Sequence, residues 1–111
     1  MADPVIVKVR LPDTVETHQG ICSEIEFREP TGRDFFSLGE PFQIVQNGQS
    51  GGFLIERDET ILAYMERCVR PPFNPIILGS LSLANAMVCR EKFLGFFEQA
   101  RARMLSALAT S

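Results

Sequence analysis

In residues 5–11, apolar Val5, Val7, Val9 and Leu11 alternate with Lys8 and Arg10, the period of a half-buried strand. A second alternation sets Ile21, Ser23, Ile25 and Phe27 against Cys22, Glu24, Glu26 and Arg28. The polar, turn-rich connector from Pro12-Asp13 to His18-Gln19-Gly20 predicts an antiparallel hairpin with a long loop, in which Lys8 and Arg10 face Glu24 and Glu26. Pro30 lacks an amide donor and ends the second strand. Thr31 then offers an N-cap hydroxyl and Asp34 a carboxylate at the third helical position, close to a capping box. Phe35, Phe36 and Leu38 supply the short helix's apolar content, and Gly39 its stop.

Phe42-Gln43-Ile44-Val45 and Phe53-Leu54-Ile55 flank QNGQSGG, whose Asn47-Gly48 predicts a hairpin between two further short strands. Asp58 is expected to cap a helix in which Ile61, Leu62, Met65, Cys68 and Val69 follow the 3.6-residue period, and Pro71, Pro72 and Pro75 break it. Asn74-Pro75 combines a cap with a first-turn proline, opening a short apolar segment. Ser82 caps a last helix to about Leu108, with Cys89, Phe93, Phe97, Ala100, Met104 and Leu108 on one stripe. Leu94, Phe96 and Leu105 widen its apolar surface. The change from period two to period 3.6 after Pro30 predicts an α+β fold. An N-terminal antiparallel hairpin precedes a mainly helical C-terminal part with a long last helix. At 111 residues the chain, 1–111, is expected to form a single domain.

Composition narrows the chemistry. A net charge of −3 and the lack of any Lys/Arg run make nucleic acid an unexpected partner. No stretch reaches the roughly 18 apolar residues of a membrane span, and the N-terminus does not read as a signal peptide. Cys22, Cys68 and Cys89 are odd in number and widely spaced, which suits a reducing cytosol. His18, in a turn-like loop, has no second ligand pair for zinc, so no metal or other cofactor is expected. A Cys–His pair would want an orienting third group, and Glu24 and Glu26 read as solvated strand charges. QNGQSGG lacks the lysine of a phosphate-binding loop. No catalytic residue emerges, and the chain is not expected to be an enzyme.

Two stretches together resemble the tail assembly chaperone family of tailed bacteriophages, the Mu-like group in particular. Arg28-Glu29-Pro30-Thr31-Gly32-Arg33-Asp34 is similar to that family's L-R-E-P-T-x-x-D signature, with Phe27 at the leucine position. Leu78-x-x-Leu81, followed by Asn85, Val88 and Phe96-Phe97, is similar to its L-x-x-L-x-x-x-D pattern ending in Phe-Phe, Asn85 standing where aspartate is usual. Ile61 to Cys68 fits the family's middle helix, so the resemblance spans roughly residues 5–100. It implies a small phage or prophage protein of the host cytoplasm, absent from the finished virion. Such proteins self-associate, bind the tape measure protein and keep it soluble until tail tube protein polymerises around it. In many phages a frameshifted longer form recruits the tube subunit. A structural tail completion or connector protein of the virion is the alternative, and a small enzyme or metal protein a third class.

Within this reading, Arg28, Glu29 and Asp34 serve capping and local pairing at a strand-to-helix joint more than partner contact. Phe93, Leu94, Phe96 and Phe97 each read singly as core. Yet neighbouring helical residues diverge by about 100°, so one face cannot take every apolar residue inward. The expectation is that Phe93, Phe97 and Met104 fill the core while Leu94, Phe96 or Leu105 meets another subunit or a client.

Overall fold

The computed structural model describes residues 5–46 and 51–110. Strands β1 (Ile6–Thr17) and β2 (Gly20–Arg28) form an antiparallel hairpin. Helix α1 (Gly32–Leu38) follows, then a second antiparallel hairpin of β3 (Phe42–Gln46) and β4 (Gly52–Glu56). Helices α2 (Asp58–Cys68), α3 (Pro75–Gly79) and α4 (Leu83–Ala109) complete the chain. The fold is α+β, with the N-terminal hairpin and the long last helix the sequence predicts. Asn47-Gly48 and the following two residues lie outside the described residues.

The first hairpin departs from expectation in its connector. β1 runs on to Thr17, and a tight turn at His18-Gln19 replaces the long loop, with Gly20 in the left-handed region at φ 104°. Pairing of Val7 with Phe27 and Val9 with Ile25 gives way after Arg10 to pairing of Val15 with Cys22. The intervening residues of β1, Pro12-Asp13 among them, form a bulge rather than a loop. Lys8 does face Glu26 and Arg10 faces Glu24, but Glu26 pairs with Arg70 at 3.5 Å.

The core gathers Val9, Leu11, Ile25 and Phe27 from the hairpin, Ile61, Tyr64, Met65 and Cys68 from α2, and Cys89, Phe93, Leu94 and Phe96 from α4. Phe27 and Phe93 meet edge to face at 5.3 Å, a geometry that suits the aromatic quadrupole. Phe97 also meets Tyr64 edge to face at 5.0 Å, and the Tyr64 hydroxyl donates to the Gly39 carbonyl at 2.6 Å. After α2, Val69 bridges to Phe27 and the Arg70 amide donates to the Glu26 carbonyl, so the chain lies along the free edge of β2.

Three of the four predicted helix caps are formed. Thr31, Asn74 and Ser82 each accept from the backbone amide three residues on. Asp58 does not cap α2. It is the first helical residue, and its carboxylate instead takes Arg90 of α4 at 2.7 Å. In α2 itself, Leu62 is exposed while Tyr64, outside the apolar stripe read from the sequence, is fully buried.

Candidate functional site

Helix α1 is too short to hold itself by propagation, and of its apolar residues Leu38 alone packs against the core. Phe36 is 88% exposed, Phe35 is 41% exposed, and Asp34 is the helix's one buried residue. A polar joint does the anchoring. Arg28 Nη1 donates to Asp34 Oδ2 at 2.9 Å, and the Thr31 amide donates to the same oxygen at 2.9 Å. The Thr31 hydroxyl accepts from the Asp34 amide at 3.3 Å, closing the capping box. Arg28 Nη2 reaches the Arg67 carbonyl at the end of α2, and Arg67 lies 3.7 Å from the other Asp34 oxygen. Burial works to raise the Asp34 pKa. The Arg28 and Thr31 donors outweigh it and bring the group down to about 2.

The expectation that Arg28 and Asp34 serve capping and local pairing is met in this geometry. Glu29 pairs instead across the surface, with Arg103 of α4 at 3.3 Å. The consequence of the joint is positional. By fixing α1 through its N-terminus, it leaves the phenyl groups of Phe35 and Phe36 facing out beside α4.

An apolar groove of about 300 Å³ results. Glu29 to Gly32 and Phe36 make one wall, Phe96, Phe97 and Ala100 of α4 the other, and the buried Tyr64 lies beneath them. The motif positions Glu29, Pro30 and Thr31 thus line a surface as well as shape a turn. Phe35, Phe97 and Ala100 also line a second groove that continues toward Phe42 and Met104. Two adjacent phenylalanines in a seven-residue helix were the available sequence signal for the first wall. For the opposite wall the sequence offered Phe96-Phe97, in the second motif, with Phe96 also expected as a client contact.

The second motif has a structural part. Leu78 is buried and Leu81 half-buried against the core. Asn85 is 1% exposed and grips the bulge of β1 with both ends of its amide. Its Oδ1 accepts from the Asp13 amide and its Nδ2 donates to the Asp13 carbonyl, both at 2.9 Å. Ser82 Oγ adds a bond to the Asp13 carboxylate at 2.7 Å while capping α4. An aspartate at 85 cannot donate to that carbonyl when ionised. Asparagine rather than aspartate is therefore the residue this contact requires.

The division of α4 into core and outer residues needs correction. Leu94 and Phe96 are each 6% exposed and belong to the core, whereas Met104 is 45% exposed. Leu105, at 56%, is exposed as expected. Along its first half α4 packs against β1 and also reaches α2, through Phe97 on Tyr64 and Arg90 on Asp58, so its buried arc is wider than one stripe. The limit of one inward face does not apply there. Cys68 and Cys89 are buried thiols that burial pushes up to about 11, which disfavours the thiolate at neutral pH. His18 is exposed in the turn, and no group of metal-ligating side chains occurs among the described residues. No helix among them is long and apolar enough to cross a membrane.

Compared with known proteins, the chain matches no family model, and no curated protein or solved structure is significantly similar to it.

Proposed function

We propose that the protein is a tail assembly chaperone of a phage or prophage. It self-associates, coats the tape measure protein, keeps it soluble in the host cytoplasm, and recruits tail tube protein. The observation that carries this reading is the groove beside Arg28–Asp34. The segment that resembles the family signature forms one wall of an apolar, solvent-open channel. A tape measure protein is a long, largely helical chain with apolar stripes, and such a stripe fits a groove walled by aromatic side chains. Bare, it would aggregate; several weak groove contacts along its length would hold it apart by avidity. The work is binding, without covalent chemistry or cofactor.

Co-expression with the tape measure protein encoded beside it tests the proposal. The wild-type chain should raise the soluble yield, and Phe36→Asp should abolish that gain while leaving the chaperone's circular dichroism unchanged. A yield indifferent to the wild-type chain, or to Phe36→Asp, would overturn the reading. Recovery of the protein in purified virions would point instead to a tail completion or connector subunit.

A further inference from the structure

The β3–β4 hairpin is poorly provided for within one chain. A two-stranded sheet alone is marginal in water. Here Ile44, Phe53, Leu54 and Ile55 are 62%, 53%, 56% and 43% exposed. Direct pairing of Ile44 with Leu54 and of Val45 with Phe53 places apolar side chains on both faces. Every residue of β4 is exposed, and β3 is its one strand neighbour among the described residues. The molecule as a whole is also less self-contained than its size predicts. Its radius of gyration is 16.0 Å, against about 13 Å for a compact chain of this length. Its accessible surface is 7816 Å², against about 6,100 Å² for a monomer of this mass. The excess, about 1,700 Å² on one chain, is about twice the 800 Å² that a standard interface takes from each partner.

We propose that β4 pairs antiparallel with β4 of a second copy about a two-fold axis at Leu54, making a four-stranded sheet in the order β3-β4-β4-β3. The strand is self-complementary in this register. Leu54 meets Leu54, and Phe53 of each copy lies opposite Ile55 of the other, an aromatic–β-branched pair of the favourable kind. Glu56 lies opposite Gly52, so no like charges face each other. Gly51 to Ile55 carry no charge and no proline, the devices by which edge strands avoid pairing. A two-fold interface closes on itself and yields a dimer rather than a fibre through this edge. The dimer deepens the coat-protein reading, on which it rests for its purpose though not for its geometry.

Sedimentation equilibrium on the isolated protein tests it without any client, so its failure is distinct from failure of the chaperone assay. The wild-type chain should dimerise reversibly. Leu54→Lys sets two ammonium groups face to face and should weaken the dimer about tenfold or more, with unchanged circular dichroism because the side chain is exposed in the monomer. Phe53→Glu and Ile55→Lys should each weaken it, and the two combined in one chain should recover most of the loss, because each new carboxylate then faces a new ammonium. A wild-type chain that stays monomeric would overturn the proposal. So would a dimer indifferent to Leu54→Lys, or a double variant no better than its parents.

Discussion

The two halves of α4 belong to one uninterrupted 27-residue helix, yet they live in different surroundings. From Leu83 to Phe97 the helix supplies Asn85, Cys89, Phe93, Leu94 and Phe96 to the interior. From Glu98 onward it buries no residue, although Met104, Leu105 and Leu108 continue an apolar stripe at 45%, 56% and 64% exposure. Periodicity is the same in both halves. What differs is the cover: β1 packs on the first half and α2 reaches it, whereas among the described residues no element buries the second. An amphipathic stripe thus states that something covers the helix, without stating whether that something is the same chain.

The widest gap between the halves should appear on truncating one side chain in each. Phe93 is fully buried and packs edge to face on Phe27, Phe96 and Phe97. Phe93→Ala should cost about 3–5 kcal/mol, enough to unfold a marginal domain. Leu105→Ala should stay within about 0.5 kcal/mol. Urea titrations of both variants measure the contrast. Equal losses would mean that the outer half is covered in solution and contributes to monomer stability.

The comparison can also be broken from the polar side, at the joint that holds α1 over the outer half. The Asp34 pKa near 2 lies below the unfolded value of about 4. A depressed carboxylate stabilises the fold above its unfolded pKa, and that contribution is lost as pH falls from about 4 through 2. It amounts to roughly 2–3 kcal/mol. Urea midpoints between pH 7 and pH 2 should fall in that window, and Asp34→Asn should remove most of this slope. A slope unchanged in the variant would assign the acid sensitivity to other carboxylates.

Asn85 tests the inner end of α4. In Asn85→Asp the donor to the Asp13 carbonyl becomes a second acceptor at 2.9 Å in a site that is 1% exposed. The expected cost is about 2 kcal/mol at neutral pH, read as a lower melting temperature. Amide exchange should quicken around the β1 bulge and leave the outer half of α4 as it was. A variant as stable as wild type would show that the charge is tolerated and that the bidentate contact is dispensable.

Much of this fold was legible because it rests on local chemistry. The strand alternations, the Thr31, Asn74 and Ser82 caps, and the long last helix follow from neighbouring residues. What was misread depended on distant ones. The Pro12-Asp13 bulge looked like a loop because its partner, Asn85, is 72 residues away. Asp58 looked like a cap, but Arg90 draws its carboxylate away. Leu94 and Phe96 looked surplus because the sequence does not say that α4 meets both β1 and α2. The candidate site was legible only in part: Arg28–Asp34 marked the joint, whereas Phe36, Tyr64, Ala100 and Arg103 converge on the groove from three helices.

The smallest effect concerns the point where the two halves meet. Gly95 is helical, and a Cβ built on it meets no atom within 4 Å. No close approach of β1 requires the glycine, so only its cost to the helix remains. Gly95→Ala should stabilise the protein by about 0.5–1 kcal/mol, mainly by reducing the freedom of the unfolded chain. If the halves are one cooperative helix, hydrogen exchange should slow on both sides of the substitution. If the outer half frays independently, protection should rise from Leu83 to Phe97 and stay low beyond Glu98, since a frayed segment gains nothing from a stiffer neighbour. A loss of stability instead would mean that β1 or a second molecule approaches the helix at this position more closely than the 4 Å clearance allows.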